Sequence, residues 1–313
     1  MSSATVSMHG ARPNYLAGAL YGIAAVTIWA GWMSVTRLGV TTSLTVTDLT
    51  MLRFGTAGLL LLPVVLRQGL ATDRIGWWRL MVLICGAGAP YAVIAAMGLR
   101  FAPAAHGGVL IPGVMPLLVA ILSAIFLKEH FTRSRKVGYG LILLGGMMII
   151  GLSALLPGPD HTIGHLLFLT GAFIWACYAV TLRQTRLGAL HASALVSVGS
   201  AVIFLPFYLV SRGLSLPPAP WHDILFQALF QGVLATVVSL FFFGKAITYL
   251  GASAGAAFGA LVPALAALIA IPVLGEIPSL SDWTGIIAVS AGVYLASGGP
   301  LRFPRKKMRP SSS

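Results

Sequence analysis

Arg53, His106, Lys245, Glu129 and Glu276 are among the ionisable residues that stand inside, or close against, long apolar runs of this 313-residue chain. Such groups are expensive in apolar surroundings and mark either a binding site or the end of an element. The acids are seven, Asp48, Asp73, Glu129, Asp160, Asp223, Glu276 and Asp282, and every one falls near the end of a run. None stands where a proton relay through the middle of a run needs a carboxylate. His106, close to the start of its run, is expected at a water-facing rim. In the absence of a central acid it is also a group through which protons could be coupled. Lys245 is expected to snorkel toward the nearer end of its run. Arg53 is expected to reach Asp48 or the adjacent interface in a structural role. Gln227, Gln231 and Ser239 are neutral groups of a single run that could face a cavity. Bond-making chemistry finds no support: there is no P-loop, no HExxH, no CxxC and no arguable Ser/His/acid grouping. The chain is not expected to be an enzyme, and no metal or cofactor is expected.

The remaining candidates suit binding. Trp29 and Trp175 each stand well inside a run, with Trp32 and Tyr178 three residues on and so on the same helical face. Tyr91 follows Pro90, and Phe258 precedes Pro263 by about one turn. These rings can stack on an apolar or aromatic solute. Pro90, Pro112, Pro116 and Pro263 each lack an N–H and crowd the carbonyl four residues back. At membrane depth the freed carbonyls need a protein partner or a wet cavity. The expectation is a set of hinges and gates around a cavity, with small residues such as Gly107, Gly108, Gly255 and Gly259 allowing close helix contact.

The elements that must hold these residues are helices in a bilayer. Hydrophobic residues make up 58% of the chain and charged residues 9%, against about 25% charged in soluble domains; mean hydropathy is +0.92. Apolar runs fall at 16–36, 47–66, 77–98, 103–127, 135–157, 164–182, 192–211, 224–248, 252–274 and 281–298. Each is near the ~20 residues that span a membrane. Trp77, Trp78, Trp221 and Trp283 lie at run ends, as interfacial anchors do. Cys85 and Cys177 both lie in apolar runs and indicate neither a disulfide nor zinc. The first run lacks a clear cleavage site and reads as a helix, not a removed signal peptide. The net charge of +13 sits in short loops, so nucleic acid is not an expected partner. Fifteen Lys and Arg fall in one set of loops and tails and three, Arg37, Arg100 and Arg212, in the other. That bias predicts both termini on the cytoplasmic side.

The chain repeats itself. At a shift of 147, Ala105 meets Ala252, Pro116 meets Pro263, Glu129 meets Glu276, Gly138 meets Gly285 and Gly145 meets Gly292. At a shift of 146, Gly18 meets Gly164, Trp29 meets Trp175 and Arg37 meets Arg183. Five runs per unit is an odd number, so the second unit must enter the membrane from the opposite side. Inverted repeats of this kind are a signature of secondary transporters with a site between the halves. The expected fold is an all-α polytopic membrane protein of ten transmembrane helices in two inverted five-helix repeats. Its divisions are a cytoplasmic N-terminal segment 1–14, repeats 15–157 and 161–299, and a basic cytoplasmic tail 300–313. Glu129 and Glu276 are expected at the interfaces, acting in topology, end-capping or gating.

Each half carries a Pro in its fourth helix, a Glu 13 residues later and a Gly-rich fifth helix, and Arg53-Phe54 stands in the second helix. In these features the chain, over 15–298, resembles the EamA repeats of the drug/metabolite transporter superfamily. The resemblance implies a central cavity among helices 3, 4, 8 and 9 with parts of 1 and 6. It implies export of small neutral or zwitterionic metabolites, amino acids among them, by alternating access in a bacterial inner membrane. The expected partners are the small-molecule substrate and the lipid bilayer, with the monomer as the working unit. A carrier of nucleotide sugars or other anionic metabolites, or a non-transporting scaffold or sensor, stays open.

Overall fold

The computed structural model describes residues 15–155, 161–213, 217–251, 255 and 257–298. The segments 1–14 and 299–313, residues 156–157 of the fifth run and 252–254 of the ninth lie outside the described residues. Helices are α1 Tyr15–Thr41, α2 Val46–Gln68, α3 Trp77–Phe101, α4 Ala104–Phe126, α5 Arg133–Leu155, α6 Thr162–Thr185, α7 Ala189–Arg212, α8 Trp221–Leu250, α9 Phe258–Leu274 and α10 Leu280–Ala296. Among the described residues, seven (α1 to α4 and α6 to α8) are long and apolar enough to cross a membrane, and α9 and α10 are shorter apolar helices. The described residues contain no strand. This is an all-helical, polytopic membrane architecture.

Polar capping punctuates the apolar sequence. Thr45 and Asp48 form a capping box at the start of α2, and Ser279 and Asp282 form another at the start of α10. Each satisfies backbone N–H groups that a helix start leaves without intrahelical partners. Helix α1 runs to Thr41, past the expected end at 36. Arg37 does not terminate it because its charge is paired with Glu276.

The prolines break the helices. In α3 the regular helix stops at Ala87 and restarts at Ala89, with Pro90 in its first turn. The freed N–H of Ala89 donates to Ser200 Oγ at 3.0 Å, so α7 caps the break. Only glycine fits at Gly88, since a Cβ there would lie 1.9 Å from Ser200 Oγ and 2.2 Å from Ile84 O. Pro112 lies in a π-helical stretch, Val109–Gly113, and Pro116 opens the α-helix that follows. Pro263 plays that part in α9, after a 3-10 turn at Phe258–Leu261. Helix α8 is π-helical from Ala228 to Val238 without any proline.

Helices of the two halves pack as antiparallel partners. Gly39 of α1 approaches Gln227 of α8, and Gly18 approaches Leu250. In the pair equivalent to it by the repeat, Gly98 of α3 packs on Phe168 of α6, and Gly86 packs on Tyr178. The pairs α2–α7 and α5–α10 also each join one helix from each half. Gly58 of α2 meets Ala201 and Ser197 of α7, Gly138 of α5 meets Gly292 of α10, and Gly145 meets Gly285. The result is a pseudo-twofold arrangement with the interface running through the core.

Candidate functional site

Six expected cavity residues come together between α1, α3 and α8. Trp32 Nε1 donates to Gln231 Oε1 at 2.6 Å. Gln231 Nε2 in turn donates to Thr36 Oγ1 at 3.0 Å and to Gln227 Oε1 at 3.1 Å, and Gln227 Nε2 donates to the Val35 carbonyl at 2.9 Å. Toward the other end, Trp29 Nε1 donates to Ser239 Oγ at 3.0 Å. Tyr91, beside the α3 break, stacks on Trp32 at 6.2 Å between centroids and 19° between planes. The π-helical register of α8 helps set this line of contacts. Thr236 donates to the carbonyl of Gln231 at 2.8 Å, five residues back, as a widened helix allows.

Arg53 joins this group and does not reach Asp48. Asp48 is already occupied: it accepts from Tyr208, from Arg212 at 2.8 Å and from Thr45. The guanidinium of Arg53 instead stacks on Trp32, 5.0 Å from the ring centroid, and on Phe54 at 5.4 Å. Arg53 and Asp48 are five residues apart on one helix, about 140° around the axis, so they never shared a face. Trp32, Thr36, Leu49, Thr50, Arg53, Ala92, Ala96 and Gln231 line a cleft of about 10 Å³, room for about one water. Ligand pockets usually hold about 300–1,000 Å³, so this cleft is too small to hold a solute as it stands.

Other candidates lie elsewhere. Trp175 and Tyr178 pack edge-on against each other at 5.2 Å, and Tyr178 Cβ presses on Gly86. Phe258 lies against Gly22. Lys245 sits over the ring of Phe241 at 5.6 Å. His106 is not a water-facing rim residue: its side chain is 5% exposed. His106 Nδ1 is 2.9 Å from His165 Nε2, and its Nε2 is 3.1 Å from Asp282 Oδ1. The His161 ring stands 5.6 Å from the His106 ring. Burial follows because α6 and the start of α10 close over the start of α4.

The interfacial glutamates follow matching backbone turns. Lys128 (φ 55) and Gly275 (φ 68) are both left-handed, and the next amide, of Glu129 or Glu276, donates to the carbonyl six residues back. Lysine holds this conformation less readily than glycine. Each carboxylate is thereby aimed at an arginine of the other half. Glu276 pairs with Arg37 and also accepts from the Ala104 N–H at 2.9 Å, while Arg37 donates to the Ala102 carbonyl at 2.8 Å. Glu129 lies 3.6 Å from Arg183. The first pair is half-buried, with side chains 19% and 20% exposed; the second is open, at 56% and 40%. The two pairs are equivalent by the internal repeat, and one is tight while the other is loose.

A bundle of this kind, with a small polar cleft and paired ends, matches what comparison with known proteins finds. The family model described as EamA-like transporter family matches twice, over residues 16–151 and 162–298. The chain is 29% identical over 227 residues to a Bacillus subtilis (strain 168) protein described as the uncharacterized transporter YyaM, covering 69% of this chain and 72% of that one. It is 26% identical over 275 residues to an Archaeoglobus fulgidus protein described as an uncharacterized transporter, covering 86% of this chain and 93% of that one. A crystal structure of another protein aligns over 91% of this chain and 97% of its own, with a TM-score of 0.61 and 22% identity, a likeness of fold alone. With two matches that together cover nearly the whole chain, this protein belongs to the EamA-like transporter family.

Proposed function

We propose that the protein is a secondary transporter that exports small neutral or zwitterionic metabolites, amino acids among them, by alternating access. Ten spanning helices form two inverted five-helix repeats in a bacterial inner membrane, with both termini cytoplasmic and the monomer as the working unit. The observation that carries the reading is the crossed pair of salt bridges, Arg37–Glu276 and Arg183–Glu129, at equivalent positions of the two halves. Inverted halves make the two pairs opposite gates of one cavity. In this structure the Arg37–Glu276 end, expected outside, is closed, and the Arg183–Glu129 end is looser. The proline breaks in α3, α4 and α9 supply the bending that exchanges the two states.

Counterflow of a radiolabelled panel of amino acids and nucleotide sugars in proteoliposomes tests the reading. Saturable exchange of small neutral or zwitterionic solutes is expected. Exchange of nucleotide sugars alone would replace the substrate class, and no exchange of any solute would leave a scaffold or sensor. The hinges carry their own expectation. Pro116→Ala and Pro263→Ala restore a backbone N–H to each break, and each is expected to slow counterflow several-fold while the protein still inserts and purifies normally. Unchanged flux in both removes the hinge assignment.

A further inference from the structure

Arg53 is a permanent cation held about 10 Å inside α2 from its Val46 end, at 1.5 Å per residue. Arginine does not lose its proton in proteins. A charge placed inside the bilayer without a partner is costly, and such residues pair with something. Among the described residues Arg53 has no ion pair and no hydrogen bond, and its Nε is sealed from solvent with no acceptor. The acid nearest in sequence, Asp48, is held by Tyr208, Arg212 and Thr45. Trp32 and Phe54 stack on the guanidinium plane and leave its edge, where the five N–H donors lie, unused. Arg53 lines the cleft together with Thr36, Thr50 and Gln231.

We propose that Arg53 is the counter-ion for the carboxylate of the transported solute, and that the substrates are small molecules carrying one carboxylate. The inference rests on the transporter reading and redraws its substrate class as monocarboxylates, zwitterionic amino acids among them. A guanidinium edge binds a planar carboxylate through two parallel hydrogen bonds. No second cation lines the cleft, so a phosphate dianion would stay half-compensated. Neither does an acid line it, so a simple amine finds no counter-charge. The side chains of Leu49, Ala92 and Ala96 leave an apolar wall for the rest of the molecule.

The test compares acids with their isosteric amides. Benzoate against benzamide, and L-leucine against L-leucinamide, are titrated into the purified wild-type protein, read by tryptophan fluorescence and thermal stabilisation. Inorganic phosphate is a separate arm. Acids are expected to bind about 10- to 100-fold more tightly than amides, the difference a hydrogen-bonded charge makes. In Arg53→Gln the ratio falls to about one, and Arg53→Lys keeps part of it, as a point charge without the fork does. Equal binding of acid and amide by the wild type, binding of neither acid, or preferential binding of phosphate overturns the assignment. The wild-type comparison stands even if Arg53→Gln does not fold. Counterflow of the same compounds separates the two claims. Exchange restricted to amides or amines sinks the Arg53 assignment and leaves the transporter reading intact. Acid-selective binding without exchange of any solute sinks the transporter reading and leaves the Arg53 site.

Discussion

Glu276→Gln is expected to open the end of the bundle that Arg37 closes and to cut counterflow about tenfold, while Glu129→Gln changes it far less. The asymmetry follows from the environments. Arg37 joins α1 to the α3–α4 corner and to the end of α9 through Glu276 and the carbonyls of Leu99 and Ala102. Glu276 holds the same corner through the N–H of Ala104. Removing the carboxylate charge leaves a half-buried guanidinium with carbonyls alone, which weakens each bond that Glu276 made to charge. Hydrogen bonds to charged groups are worth about 1.5–3 kcal/mol where they are buried. Discounted for partial exposure, about 1–2 kcal/mol remains, and 1.4 kcal/mol is tenfold in a two-state population. The Arg183–Glu129 pair is mostly solvated and has one further contact, Arg183 to Ser123 Oγ at 3.4 Å. An exposed pair contributes about 0–1 kcal/mol. A membrane-impermeant maleimide reads the opening at Ala104→Cys, a position fully buried here, in a background with Cys85 and Cys177 changed to serine. Faster labelling in Glu276→Gln and slower flux are expected together, with both restored toward wild type by the swapped pair Arg37→Glu and Glu276→Arg. Identical labelling and flux in Glu276→Gln and Glu129→Gln would show that neither pair gates.

The equivalence of these residues was legible in the sequence; their contact was not. The internal shifts that match Arg37 with Arg183 and Glu129 with Glu276 say which positions correspond. They do not say that each arginine reaches across to the other half's glutamate, because a repeat fixes equivalence and leaves packing open. The proline breaks at Pro90, Pro112, Pro116 and Pro263 were legible because the missing N–H is a property of the residue. The long π stretch of α8 was not: nothing local marks Ala228–Val238, which packs against α2 and α1. Arg53 stands near Asp48 in the sequence, yet Asp48 is held by Tyr208, Arg212 and Thr45. The helical angle between them argues against a pair, whereas the stack on Trp32 comes from a different helix. His106 was placed at a rim from its position along α4, and the side chains that bury it, His165 and Asp282, lie 59 and 176 residues away.

Gly145→Ala is expected to destabilise the protein sharply while Gly140→Ala, five residues earlier on the same helix, does not. A Cβ on Gly145 would lie 2.7 Å from the carbonyl oxygen of Gly285 and 3.0 Å from the Val289 amide nitrogen; one on Gly285 would lie 3.0 Å from the Gly145 carbonyl oxygen. Gly138 and Gly292 make the same reciprocal contact two turns away, at 2.6 Å and 2.7 Å. These obstacles are backbone atoms, so no rotamer change relieves them, and α5 and α10 must move apart. In a bilayer, helices associate through close packing with no hydrophobic drive between them, so a gap gains nothing back. Overpacking of this kind costs about 1–3 kcal/mol. Gly140 meets nothing within 4 Å, and alanine there gains helix propensity of about 1 kcal/mol. Thermal unfolding in detergent is expected to show a midpoint several degrees lower for Gly145→Ala and unchanged or higher for Gly140→Ala. Gly292→Val, with a larger side chain against the Gly138 carbonyl, is expected to lower the yield of monodisperse protein further. Equal midpoints for the two alanine variants would mean that the α5–α10 crossing yields freely. Neither glycine touches the Arg53 cleft or the two ion pairs. The acid-over-amide preference of surviving Gly145→Ala protein should therefore equal that of wild type, which separates a weakened scaffold from a damaged site.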